Sequence, residues 1–221
     1  MTAYKFAHIL QRFITDRGLF RFEDGKLKLL GIYGRLNTIL YSILLEKLLE
    51  ENLGKKKADD LLYLLSESQS YSATKWAIER VGISRKGNEV RIFNEVASHS
   101  QLTGHGKHRL LRLDMNKKEI IVAVENNLFP LKYRELFGTQ KEPVDHYTRG
   151  LTGGICKFLF GEEVVTICEQ CPSMGKEKAI YRVIPLKGAL KRYGRSARKF
   201  IPGPSLKTSV LKHVNIRKLT G

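Results

Sequence analysis

At 221 residues and 42% hydrophobic content, the chain can hold one good core, or a core domain with appendages. It has no run of eighteen or more uncharged apolar residues, which excludes an ordinary membrane-spanning helix, and its first thirty residues carry charges throughout (Lys5, Arg12, Asp16, Arg17), unlike a secretory signal. The net charge of +17 is uneven: residues 187–221 hold ten Lys/Arg and no acid, leaving +7 for residues 1–186. A polycation of this kind favours a polyanion, nucleic acid or an anionic membrane face, or serves solubility alone.

In chain order, residues 4–16 place Phe6, Ile9, Leu10 and Phe13 at helical spacing before Gly18, which predicts a short amphipathic helix. Residues 19–22 and 26–30 alternate around Asp24-Gly25, a hairpin signal. A long helix follows over 35–51, with Leu36, Ile39, Leu40, Ile43, Leu44 and Leu48 on one face and Gly54 closing it. Residues 58–81 read as a second long helix ended by Gly82, burying Leu61, Leu62, Leu65, Tyr71, Trp76 and Ile78 across a serine-rich middle. Strands are expected over 89–97, 109–115 and 119–125, with a polar loop at 98–108 holding His99, His105 and His108. That loop reads as solvated, with metal binding the weaker alternative. A loosely helical connection follows Leu128-Phe129-Pro130.

All three cysteines fall in one informative stretch, residues 142–185. Pro143, with Glu142 and Asp145 beside it, suits a helix start, because proline loses no needed donor there and acids favour the positive helix end. Leu151, Ile155, Phe158 and Leu159 then form one apolar stripe. Gly150, Gly153 and Gly154 each cost roughly 0.5–1 kcal/mol in a helix relative to alanine, so something approaches that backbone closely, a packed neighbour or a ligand. Strands at 164–167 and 179–184 complete an α+β arrangement, an antiparallel sheet packed against long helices. Pro185 opens a basic C-terminal extension in two segments, 186–200 and 205–219. The second has Leu206, Val210 and Val214 at four-residue spacing with Ser205 as N-cap. No fixed-period repeat is present.

The order of these elements resembles the 4-vinyl-reductase (hydrocarbon-binding) domain family, related in fold to TRAPP vesicle-tethering subunits. The resemblance covers roughly residues 24–185. It rests on the strand at Gly25 and the two long helices after it, Val122-Ala123-Val124-Glu125-Asn126-Asn127-Leu128-Phe129, Glu142-Pro143-Val144 opening a helix with Gly150 inside it, and Phe160-Gly161 leading to strand, Cys171 and Gly175. It divides the chain into an N-terminal extension (1–23), a small-molecule-binding domain (24–185) and a basic segment (186–221). The family implies a homodimer and an apolar pocket between helices and sheet. Trp76, Phe93, Phe129, Tyr147 and Leu151 are the candidate lining residues. In bacterial aromatic-sensing activators of this family a zinc site lies nearby; here its four positions are Asp145, Cys168, Cys171 and Ala179, so one ligand is retained, two are changed in type or position and one is lost.

Taken by itself, Cys168-x-x-Cys171 is half of a zinc site, since two thiolates at this spacing can grip one tetrahedral ion. His146, Asp145 and Cys156 are the nearby candidates to complete it. The expected set is Cys168, Cys171 and His146, with Asp145 or water fourth and Cys156 left to the core; two buried or redox-labile thiols are the alternative. A thioredoxin-type reading is weaker, because Pro172 and Gly175 follow where a helix would open. No nucleophile–base arrangement, phosphate loop or zinc-hydrolase motif is legible. The functional expectation is therefore a non-enzymatic, cytoplasmic sensor of a hydrophobic or aromatic small molecule, resembling a module of a transcription regulator. Lys191, Arg192, Arg195, Arg198, Lys199, Lys207, Lys212, Arg217 and Lys218 would meet nucleic acid. A TRAPP-like dimerisation or tethering module is the alternative, and an enzyme on a tetrapyrrole or lipid-like substrate is a third reading suggested only by the family's name.

Overall fold

The computed structural model describes residues 20–23, 26–29, 32–34 and 39–203. The helices expected over 4–16 and 205–219 lie outside the described residues. Strands β1 (Phe20–Glu23) and β2 (Lys26–Leu29) pair antiparallel with Glu23 opposite Lys26, the register that a two-residue Asp-Gly connection demands. A third strand, β3 (Ile32–Gly34), adds to β2.

Helix α1 (Ile39–Leu53) gives way at Gly54, whose N–H bonds Glu50 O at 2.9 Å, to α2 (Lys55–Val81). Gly82, in the left-handed region at φ 69°, stops α2. The leucine face expected of α1 is not the buried one. Ile43 and Glu46 point inward, whereas Leu40, Leu44 and Leu48 are 49%, 56% and 57% exposed. In α2 the buried face is likewise different from the expected one: Tyr63, Ser66, Glu67, Ser70 and Thr74 are buried and Leu65 is exposed.

Residues 89–97, expected as strand, belong instead to helix α3 (Glu89–Leu102). Ile92, Phe93, Ala97 and Ser100 are its buried residues, a spacing that fits 3.6 residues per turn, and much of the expected polar loop is its last turn. Strand β4 (Lys107–Asp114) and strand β5 (Glu119–Glu125) form a hairpin. Helix α4 (Leu128–Phe137) follows, then α5 (His146–Phe160), β6 (Val164–Gln170), a short 3-10 turn (Pro172–Met174) and β7 (Ala179–Pro185). The four later strands form an antiparallel sheet in the order β4-β5-β7-β6.

Side-chain alternation sorts the sheet into two covered faces. Val164 and Cys168 of β6, with Ala179, Tyr181 and Val183 of β7, join the core under α5 and α3. Val165, Ile167 and Ile184 face the other way and are covered by Ala189 of α6 (Leu186–Tyr193) and by Ala197 and Phe200 of the 3-10 segment Gly194–Phe200. The first half of the basic extension is thus packed on the sheet. Arg192 Nη1 donates to Glu119 Oε1 at 2.9 Å beside Arg182, and farther on Gly203 N–H donates to Asp60 Oδ2 at 3.2 Å.

Helix α5 is the middle layer, pressed between α2 and the sheet. A Cβ at Gly150 would stand 2.3 Å from Tyr63 O, and one at Gly154 would stand 2.4 Å from Glu67 O, so α2 and α5 cross backbone to backbone through their small residues. The close neighbour of these glycines is therefore α2. Gly153 turns to the sheet, where a Cβ would meet Thr166 Oγ1 at 2.7 Å.

Candidate functional site

The first turn of α5 is built from polar residues that the fold buries. Asp145 is the N-cap, its Oδ1 accepting Thr148 N–H at 3.0 Å. Asn127 donates to Asp145 Oδ2 and, at 3.2 Å, to Thr148 Oγ1, while its own Oδ1 accepts Phe129 N–H to cap α4. One asparagine therefore ties two helix starts together. Burial pushes the Asp145 carboxyl above its ordinary range against the pull of the Thr148 and Asn127 hydrogen bonds. His105 stacks on Tyr147 with ring centroids 5.1 Å apart, and Tyr147 OH donates to Gln69 Oε1 at 2.8 Å.

His146 turns the other way, its Nε2 3.3 Å from Asp59 Oδ1 but without hydrogen-bond geometry. Burial, with the Arg149 and Lys55 charges adding to it, holds its imidazole well below the usual histidine pKa, so the ring is neutral. Arg149, one turn on, is the largest fully buried side chain among the described residues, 2% exposed. Its guanidinium lies over the Tyr63 ring at 4.5 Å and the Phe200 ring at 5.6 Å, and neither Nε nor Nη2 has a hydrogen-bond partner. Glu46 Oε1 and Tyr181 OH are also buried without partners.

At the end of β6 the two thiols meet. The Cys168 S–H donates to Gln170 O at 3.1 Å and Ser173 Oγ donates to the Cys171 sulfur at 3.1 Å; the neighbouring Cys168 thiol, with Ser173, brings Cys171 down to about 7, while the Cys171 sulfur and burial hold Cys168 well above its ordinary value. The charge of Asp145 reaches both sulfurs. His146 faces Asp59 and does not join them, and among the described residues no group of three or more His, Cys, Asp or Glu is arranged to hold a metal ion. The set expected for zinc, Cys168, Cys171, His146 and Asp145, is thus not grouped in that way among the described residues. Cys156 is fully buried in the core, where burial pushes its thiol up.

The five candidate pocket residues fall in separate settings. Phe93 is fully buried in the main core and Phe129 packs with Ile39, Ile43, Tyr133 and Val144. Trp76 is half-buried on α2, Tyr147 faces Gln69 and His105, and Leu151 lies at the α2–α5 crossing, its O accepting Ser70 Oγ–H at 2.8 Å. Of the candidate nucleic-acid residues, Lys191, Arg192, Arg198 and Lys199 are exposed on α6 and the segment after it; the side chain of Arg195, and Lys207, Lys212, Arg217 and Lys218, lie outside the described set. Arg149 and Tyr63 were missed by sequence reasoning. The available signal was a lone arginine in Thr148-Arg149-Gly150-Leu151-Thr152-Gly153-Gly154, a helix too poor in charge to have a solvent face there.

A glycine-bearing helix held between a long helix and an antiparallel sheet, with a cluster of buried polar side chains at its entry, is an α+β fold. The chain is similar to the phenol-responsive sensory domain of the transcription activator PoxR, with 17% sequence identity over 92% of this chain and 100% of that one, and a TM-score of 0.70. Two weaker likenesses, too distant to carry weight, are to a vinyl-4-reductase family protein from Methanocaldococcus jannaschii (14% identity, 68% of this chain and 82% of that one, TM-score 0.44) and to a trafficking protein particle complex subunit 3 from Naegleria fowleri (14%, 66% and 90%, TM-score 0.44). No family model and no curated protein matches the chain. Among the described residues no helix is long and apolar enough to cross a membrane.

Proposed function

We propose that the chain is a non-enzymatic sensory module that binds a hydrophobic or aromatic small molecule and passes the signal to its basic C-terminal segment. The observation that carries the reading is the match of fold over 92% of the chain to a domain that responds to phenol. Supporting it, polar groups at the entry of α5 are buried without partners, as befits a site whose few polar groups fix a ligand's orientation. Native mass spectrometry of the purified protein, compared with the same sample denatured, tests the reading directly. A small organic guest released on denaturation is expected; a ligand-free protein that also fails to bind phenol and alkylphenols in calorimetry would end it.

Two further parts belong to the proposal. Zinc on Cys168 and Cys171 would join the end of β6 to the following turn, and metal analysis of the parent and of Cys168→Ser and Cys171→Ser checks it, with loss of stoichiometric zinc expected in both variants. Nucleic acid is the proposed partner of the basic segment, and its affinity should fall steeply with salt.

A dimerisation or tethering module is the second reading, favoured by the exposed leucine row Leu40, Leu44 and Leu48 on α1. It predicts a stable protein partner and no guest. The homodimer proposed for the sensor would use the same row.

A further inference from the structure

The guanidinium of Arg149 is oriented in an unusual way. Its Cζ lies 4.5 Å from the centre of the Tyr63 ring and 5.6 Å from that of Phe200, so the attraction of the cation to aromatic rings is used. What remains is the edge. The nitrogens left without partners, Nε and Nη2, are the two that share one side of the planar fork, and that side matches the two oxygens of a carboxylate. A buried charged donor left unsatisfied is costly, and native proteins keep few such groups without a functional reason. Asp59 supplies some compensating field, but its carboxylate is engaged by Lys55 at 3.2 Å and forms no ion pair with Arg149.

Phe200, which covers the guanidinium, belongs to a segment that makes no strand pairing. Phe200 ends the segment that crosses from the sheet to α2, and beyond it the chain is held by Lys56 Nζ on Ile201 O at 3.3 Å and by Gly203 N on Asp60 Oδ2 at 3.2 Å. Neither contact belongs to the sheet, so lifting Phe200 leaves every strand pairing intact.

We propose that Arg149 is an oxyanion receptor, so that the small molecule this domain takes is an organic acid whose carboxylate pairs side-on with Nε and Nη2 beneath Phe200. This rests on the sensory reading above and narrows it from hydrophobic molecules at large to hydrophobic acids. The apolar part of the acid takes the place of the Phe200 ring beside the guanidinium.

The test uses the full chain with benzoate and octanoate, each beside its neutral amide, at fixed ionic strength. Melting temperature and calorimetry are the readouts for the parent, Arg149→Met and Arg149→Lys. At least one acid is expected to bind the parent about tenfold or more tighter than its amide, the scale of charge-assisted hydrogen bonds. That preference should vanish in Arg149→Met and weaken in Arg149→Lys, which cannot present two donors on one edge. Without ligand, Arg149→Met should melt no lower than the parent, because a merely structural arginine would be missed and an orphaned one would not. Equal binding of acid and amide, a preference that survives in Arg149→Met, or no binding of any probe overturns the inference. Amide bound as well as acid, or a neutral guest in the native mass spectrum, overturns this inference alone and leaves the sensory reading standing.

Discussion

Replacing Gly150 by alanine tests the helix crossing on which the site is built. The new Cβ would stand 1.9 Å from Ser66 Oγ and 2.3 Å from Tyr63 O, where ordinary contact begins near 3.4 Å. The serine can rotate away, but the Tyr63 carbonyl is part of the α2 backbone. The helices must therefore part by about 1 Å along the crossing, and overpacking of this kind costs roughly 1–3 kcal/mol, occasionally more. Alanine returns about 0.5–1 kcal/mol of helix propensity. A clash against backbone belongs at the high end of the range, so the net expected loss is about 2 kcal/mol, or roughly 4–8 °C in melting temperature for a chain of this size. Gly188→Ala is the internal control. It lies exposed in α6 with nothing within 4 Å of its Cβ, so propensity acts alone and stability should rise by about 0.5–1 kcal/mol. Thermal and urea unfolding followed by circular dichroism gives both numbers. If Gly150→Ala were as stable as Gly188→Ala, the backbone-to-backbone crossing would be wrong.

Glu46→Gln should stabilise the protein increasingly as pH rises. Burial, with Asp145, Asp59 and Glu50 adding to it, raises the Glu46 carboxyl well above 4.5, so its stabilising neutral form is complete below about 4.5 and is lost as pH climbs through the raised folded value. Glutamine stays neutral throughout; the melting-temperature difference should be near zero at about pH 4 and grow toward pH 8, and a pH-independent difference refutes the assignment. Asp145→Ala removes the α5 cap and one acceptor of the Asn127 amide, for an expected loss of about 2–3 kcal/mol in urea unfolding. Leu44→Glu combined with Leu48→Glu should turn a dimer into monomers in sedimentation equilibrium while preserving the circular dichroism spectrum; a parent that is monomeric at every concentration removes the homodimer proposal.

The second half of the fold was legible because its signals agree with one another. Asp145 as cap, the stripe through Ile155 and Leu159, and Gly161 in the left-handed region bound α5 at both ends, and β5 runs over the residues its alternation predicts. The first half misled for identifiable reasons. Helix α1 carries Ile39, Leu40, Tyr41, Ile43, Leu44, Leu45, Leu48 and Leu49, so apolar residues surround it and periodicity cannot choose a buried face. In α2 the serines that weakened the helix reading are the packing surface, since only small residues let a second backbone come so near. Helix α3 reads as strand because Val90, Ile92, Phe93 and Val96 favour strands by type, although Ile92, Phe93, Ala97 and Ser100 follow helical spacing. The buried polar groups were hidden by distance along the chain: Glu46 meets the charges of Asp59 and Asp145, and Arg149 meets the rings of Tyr63 and Phe200, only through tertiary structure.

The bonds that fix residues 201 and 203 to α2 bring the start of the basic extension against Lys56, which has Lys55 and Lys57 on either side in the sequence. The eighteen residues after Gly203 hold four more cations, Lys207, Lys212, Arg217 and Lys218. A deletion beginning at residue 204 would accordingly strip away fewer than half of the positive charges counted from Lys187 onward, while α6 and Lys55, Lys56 and Lys57 kept theirs.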